Sequence, residues 1–265
     1  MIKREFQPVH AAVALGVLII TALWLALTPE GLLGKMDAIG YAVCHRIDMR
    51  SFHLGERTLP LCARCTGMYL GALTTFLYFG ATAGRAGLYP SKGIIAVLFA
   101  GAGIWALDGL NSFATLIPEA PQLYVPNNTL RLITGSMIGI GLMTMIYAPF
   151  QQLAWRDWKQ ERVLPGWKSL SFLALFVAIV DLLVLSEHPL VLYPLAILSA
   201  AGVLVLLNMA YGLIALQILK REGVAERAWD LLLPLALGFS LALAQIGVID
   251  LLRYLATGTW SGFHL

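Results

Sequence analysis

Cys44-His45-Arg46, Arg50-Ser51-Phe52-His53 and Leu59-Pro60-Leu61-Cys62-Ala63-Arg64-Cys65-Thr66-Gly67 make one polar stretch in an otherwise apolar chain. It holds all three cysteines and two of the five histidines. Cys62-x-x-Cys65 brings two sulfurs together in a turn, as a soft metal or a redox disulfide requires. Cys44 adds a third sulfur and His45 an imidazole. Cys44, His45, Cys62 and Cys65 are therefore the expected ligands of a tetrahedral zinc site, with Zn–S distances of about 2.3 Å. Neighbouring ligands are sterically awkward, and His53, Asp48 or Glu56 can take the place of His45. If the fourth position stays open, such a site becomes catalytic. The same sulfurs also suit thiol–disulfide exchange: Cys62 and Cys65 as the dithiol, nearby arginines lowering a thiol pKa, and Cys44 as the exchanging thiol. That reading lacks a second cysteine pair to relay electrons. No Cys-x-x-Cys-His is present, so covalent haem attachment is not supported.

Polar groups inside apolar helices form the second informative set. Each charge costs up to roughly 3 kcal/mol at the bilayer centre, so it faces a partner or a wet cavity. Asp108 and Asn111 lie one turn apart near the end of the third apolar run, and Asn128 and Arg131 at the start of the fourth. Asp181 is near the end of the fifth, and Asp250 with Arg253 near the end of the seventh. If the runs alternate in direction, all of these share one end of the bundle with the cysteines. Asp108, Asn111, Asn128 and Arg131 are the candidates for catalytic or binding work, on the wall of a funnel with the sulfurs at its rim. Structural pairing is the alternative: Asp108 with Arg131 between helices, Asp250 with Arg253 at i, i+3. Asp181 is expected to be solvated, and His10 and His264 to meet solvent or headgroups.

The elements that must position these groups are membrane helices. Of the 265 residues, 59% are hydrophobic and only 12% charged, about half the charge of a soluble domain. Seven apolar runs, at about 9–28, 64–83, 93–114, 130–150, 169–186, 190–219 and 231–256, are long enough to cross about 30 Å of hydrocarbon. The expected fold is all-α, a polytopic bundle of about seven transmembrane helices. It forms a single transmembrane domain over 1–265, with an extramembrane Cys/His/Arg-rich loop at 29–66. The first run lacks a cleavage site and reads as an uncleaved helix. The sixth is long enough to tilt or to kink near Pro194 or Gly202. Lysines and arginines divide eleven to five between the two sides, so the positive-inside bias places the N-terminus inside and the C-terminus outside. The five outer cations, Lys35, Arg46, Arg50, Arg57 and Arg64, all lie in the cysteine loop, against that bias. Gly67/Gly71, Gly80/Gly84 and Gly135/Gly139, each four apart, predict close helix approach. Trp24, Tyr124, Trp155, Trp158, Trp167 and Trp260 fall near span ends and read as interfacial anchors.

The run from Tyr41 to Gly71, with Cys44-His45, Arg50-Ser51-Phe52 and Leu59 to Gly67, resembles the integral membrane family called domain of unknown function 2085. Asp108-Gly109 and the Asn128, Arg131, Thr134-Gly135 run also look like its pattern. The resemblance covers about residues 35–145 and implies that the pocket residues act as one unit. It implies no reaction, because the family name records none.

Three functions are compatible with these residues. The first is an integral membrane protein with an outer-facing zinc site, structural or catalytic, above a polar pocket. In the catalytic case it acts on a lipid-linked or anionic substrate held by Arg131 and Arg64. The second is an accessory subunit of a larger, energy-transducing membrane complex, docked through a metal-stiffened loop. The third is a quinone-coupled thiol–disulfide oxidoreductase. Expected partners are membrane lipid and other membrane subunits. The net charge of +3 calls for no nucleic acid. The expected location is a bacterial inner membrane, with the cysteine loop on its outer face.

Overall fold

The computed structural model describes residues 8–262, excluding the side chains of residues 9 and 10. His10 and His264, expected to meet solvent or headgroups, lie outside the described side chains, as do Lys3 and Arg4, two of the eleven inner cations. The chain opens with α1 (Pro8–Leu27), breaks at Pro29 and Gly31, and turns sharply into α2 (Leu32–Val43). A 3-10 turn (Asp48–Arg50) leads into a hairpin of β1 (Ser51–Leu54) and β2 (Arg57–Cys62), which runs directly into α3 (Ala63–Thr82). Then follow β3 (Ala86–Leu88), α4 (Lys92–Ala114), α5 (Asn128–Ala154), β4 (Lys159–Arg162), α6 (Trp167–Leu185), α7 (Pro189–Ile218) and α8 (Leu232–Thr257). The seven long helices fall on the seven expected runs. The helical membrane architecture holds.

Five of these helices, α4 to α8 (the last taken with the short turn before it), are long and apolar enough to cross a membrane. Helix α1 joins them only together with α2, from which it is bent by 103°. Helix α3 falls short because it is the polar centre of the bundle. Its Thr66 and Thr75 are fully buried, and their hydroxyls bond back to Leu61 O at 3.1 Å and Gly71 O at 2.7 Å. Such back-bonding satisfies a hydroxyl where no water reaches it. On α4 and α6, by contrast, Phe99, Leu107, Leu110, Phe172, Leu175 and Leu182 stand exposed, the surface that lipid would cover.

The core contact is α3 against α5. A Cβ on Gly67 would meet Leu132 O at 2.1 Å, and one on Gly135 would meet Arg64 O at 2.1 Å. Only glycine allows backbones that close. Gly80 and Gly84 are different: a Cβ at either meets nothing within 4 Å. Gly84 serves the turn after α3, with φ +54°. Helix α7 continues unbroken past Pro194, and its Gly202 lies against the Tyr69 carbonyl of α3.

The bundle has two unlike ends. At one, β3 and β4 pair in parallel, Trp155 bridges to Ala225, and Arg85 bonds Asp157 and the Glu226 carbonyl. At the other gather the hairpin, the 115–127 connection and the residues after α8. Residues 29–66, expected as a loop, are instead a folded cap. Gly40 of α2 sits where a Cβ would be 1.9 Å from Pro60 O of β2. Tyr41 Oη reaches Thr259 O at 2.8 Å, and its ring packs against Trp260 at 5.2 Å between centroids. Trp24, expected as an interfacial anchor, is buried within the bundle.

Candidate metal centre and the arginine cluster beside it

The three sulfurs come from three local structures. Cys44 follows the last turn of α2, Cys62 ends β2, and Cys65 lies in the first turn of α3. The hairpin register sets Cys62 opposite Ser51, and the strand-to-helix junction folds Cys65 back toward it. The three Sγ atoms lie within 4.8 Å of one another, and all three are free thiols. Cys44 is buried, and its Sγ accepts the backbone N–H of Arg46 at 3.4 Å and of Cys62 at 3.3 Å. Those donors suit a sulfur that carries negative charge. Hydrogen bonding from Cys44 and then Cys65 holds the Cys62 thiol well below its ordinary range. The contact with Cys62, reinforced by burial, pushes Cys44 up to about 12.

Among the described residues this group contains no imidazole or carboxylate. His45, the expected fourth ligand, is exposed and outside the sulfur group, and its carbonyl accepts Arg253 Nη2 at 3.3 Å. His53 and Asp48 bond each other at 3.2 Å, and Glu56 is exposed in the hairpin turn. The centre that the fold assembles is three sulfurs. Tyr69, one turn beyond Cys65, is buried within electrostatic reach of all three, and nothing in the sequence marks it.

Asp108, Asn111, Asn128 and Arg131 do converge, as one hydrogen-bonded cluster with Ser112 at its centre. Arg64 lies between Cys62 and Cys65 in the chain, and its guanidinium reaches α4. Its Nε donates to Asp108 Oδ2 at 3.0 Å and its Nη2 to Ser112 Oγ at 2.9 Å. Asp108 also accepts Tyr124 Oη at 2.5 Å and Thr134 Oγ1 at 3.3 Å. The expected Asp108–Arg131 pair is therefore replaced by Asp108–Arg64. Arg131 donates to Ser112 Oγ at 3.4 Å and Asn128 Oδ1 at 2.9 Å, while Asn128 Nδ2 reaches Ser51 O of β1 at 3.3 Å. Arg50 donates to Ser112 O and Thr115 Oγ1, each at 3.0 Å. Burial is the first cause that lowers the Arg50 pKa, and the Arg64 charge is the second. Asn111 holds the 115–127 connection over the cluster through Tyr124 O at 2.9 Å and Leu123 N at 2.8 Å. Tyr124, expected to be an anchor, is thus part of the site.

The remaining intramembrane carboxylates lie apart. Asp181 is buried rather than solvated, accepting Ser136 Oγ at 2.7 Å. Among the described residues the Asp250 carboxylate accepts no hydrogen bond from Arg253, which donates to Tyr41 O and, at 2.7 Å, to Cys44 O, with its guanidinium 4.0 Å above the Tyr41 ring.

The model of the family described as predicted membrane protein DUF2085 matches residues 44–145. An uncharacterised protein of Methanothermobacter thermautotrophicus is 35% identical over 103 residues, which are 39% of this chain and 83% of that protein. The chain belongs to this family. The family's stretch begins at Cys44 and ends inside α5, so it contains the three sulfurs, Arg50, Arg64, Asp108 and Arg131 and excludes α6 to α8. No solved structure matches the chain.

Proposed function

We propose that this DUF2085 protein is a membrane metalloprotein in which Cys44, Cys62 and Cys65 hold one zinc ion, its fourth position turned to an anionic or lipid-linked substrate. The observation that carries this reading is the meeting of three sulfurs from three separate elements within 4.8 Å. Tetrahedral zinc with Zn–S bonds of about 2.3 Å places its sulfurs about 3.8 Å apart, so small side-chain rotations close the site. Thiolates are soft ligands that favour zinc over hard cations. When bound, zinc supplies Lewis-acid polarisation of whatever group takes the fourth position. The protein's own part is to fix Cys44 through backbone N–H groups and to hold Arg64 on Asp108, which sets the sulfurs beside a cationic cluster. An outer-facing cap in a bacterial inner membrane fits the cations grouped at the opposite end, Arg85, Arg156, Lys159 and Arg162 among them.

The test is elemental analysis of the full chain purified in detergent without chelators. About one equivalent of zinc per chain is expected, lost in Cys44→Ser. Less than a tenth of an equivalent of zinc or iron overturns the reading. Thiol–disulfide exchange is the competing use of the same atoms, favoured by the low thiol pKa of Cys62. Alkylation mass spectrometry of protein isolated without reductant separates the two: protected, unoxidised thiols support metal, and a Cys62–Cys65 disulfide supports exchange.

A further inference from the structure

We infer that Arg50, Arg64 and Arg131 form a binding site for the phosphate group of an anionic lipid. This deepens the reading above, on which it rests for the location of the substrate, but its test does not require metal. Three guanidinium groups from three elements meet around one residue, Ser112 of α4. Among the described residues only one carboxylate, Asp108, bonds any of them. Asp108 is already engaged by Arg64, Tyr124 and Thr134. Neither Arg50 nor Arg131 has a carboxylate within ion-pair distance among the described residues. Three cations against one anion leave two positive charges in excess, and Arg131 is only 7% exposed. A zinc ion with three thiolates would carry one net negative charge and would offset only half of that excess.

Helix geometry adds to the imbalance. Arg64 is the second residue of α3 and Arg131 the fourth of α5, and neither helix has an acidic residue in its first turn. Helix N-termini carry partial positive charge and normally attract anions. Two of them therefore point positive ends at the place where the arginines gather. Planar guanidinium groups grip phosphate through paired N–H donors, which makes this the chemistry that such a cluster recognises.

The surroundings point to lipid rather than to a free ion. Tyr124, which closes over Asp108, is flanked by Leu123 at 78% and Val125 at 84% exposure. An exposed apolar segment beside a basic cluster, at the end of membrane helices, suits an amphiphile with its phosphate in the cluster and its chains along the bundle. Arg64 and Arg50 are only partly buried, so the cluster is reachable from that side.

Native mass spectrometry of the full chain, with thermal melting in detergent, tests this using three additives: phosphatidylglycerol, uncharged diacylglycerol and inorganic phosphate. Phosphatidylglycerol should remain bound and raise the melting temperature, while diacylglycerol at the same concentration should do neither. Arg131→Gln should weaken retention at least about tenfold. Arg50→Gln, at a half-buried position on the 3-10 turn, provides a second variant with the same expectation if Arg131→Gln fails to fold. Stabilisation by inorganic phosphate alone would keep the phosphate chemistry and overturn the lipid source. Equal retention of phosphatidylglycerol by wild type and both variants would overturn the site. Zinc measured on the same samples keeps the two readings apart: lipid retention without zinc defeats only the metal, and zinc without arginine-dependent retention defeats only this site.

Discussion

Arg64 stands between Cys62 and Cys65 in sequence, and its guanidinium reaches α4, donating through Nε to Asp108 Oδ2 at 3.0 Å. One residue thereby couples the strand-to-helix junction that carries two sulfurs to the polar end of α4. Asp108 is 2% exposed and Arg64 19%. Removing one partner of such a buried pair leaves an uncompensated charge and costs about 3–5 kcal/mol.

Asp108→Ala should therefore lower stability by about 3 kcal/mol in reversible denaturation in detergent. The double variant Arg64→Ala with Asp108→Ala should be less destabilised than the sum of the two single changes. A strictly additive result would mean that the pair is not coupled and that the cap is held to α4 by other contacts.

The ligand set makes a sharp comparison. Cys44→Ser, Cys62→Ser and Cys65→Ser should each reduce bound zinc to a small fraction of an equivalent. His45→Ala should leave about one equivalent in place, because His45 is exposed and outside the sulfur group. Loss of zinc in His45→Ala would show that the imidazole swings in as the fourth ligand.

The apolar runs made the seven long helices legible, because helices in hydrocarbon must be apolar over most of their surface. Helix α2 was not legible. Its twelve residues are too short to span and include Lys35 and Asp37, so they read as loop. The meeting of the cysteines with Asp108, Asn111, Asn128 and Arg131 at one end followed from helix alternation alone. The pairing within that cluster did not. Arg64 rather than Arg131 meets Asp108 because Gly67 and Gly135 let α3 and α5 touch backbone to backbone, which fixes their register. Glycines four apart announce close packing but do not name the partner. For the same reason Ser136 as the partner of Asp181, and Tyr124 as a partner of Asp108, carried no signal in the sequence.

That register can be tested by substitution. Gly135→Ala puts a Cβ 2.1 Å from the Arg64 carbonyl, a backbone atom that moves only if α3 moves. It should lower stability by about 1–3 kcal/mol, as overpacking does, and should weaken zinc retention together with it. Gly80→Ala, on the same α3 but with nothing within 4 Å, is the control. It should be neutral or stabilising by up to about 1 kcal/mol, the helix-propensity gain of alanine over glycine. Equal behaviour of the two variants in a melting series would dismiss the glycine contact as the determinant of register.

Arg253 lies in α8, outside the family's matched stretch. Its Nη1 donates to the carbonyls of Tyr41 and Cys44, the latter at 2.7 Å, and its guanidinium lies 4.0 Å above the Tyr41 ring. Arg253 thus pins the backbone that carries one sulfur without being a ligand itself, since a guanidinium stays protonated and offers no lone pair to a metal. Groups that orient a metal ligand typically change affinity by about 10–100-fold when removed, while the number of bound ions stays the same. Arg253→Gln should therefore still reach about one equivalent at saturating zinc but release it to a competing chelator at a free-zinc concentration at least tenfold higher. Arg253→Lys should recover only part of that affinity, since an ammonium cannot reach both carbonyls in the planar arrangement of a guanidinium. An unchanged chelator titration in both variants would mean that Cys44 is positioned by α2 and the hairpin alone. The three C-terminal helices would then support the bundle without tuning the metal centre.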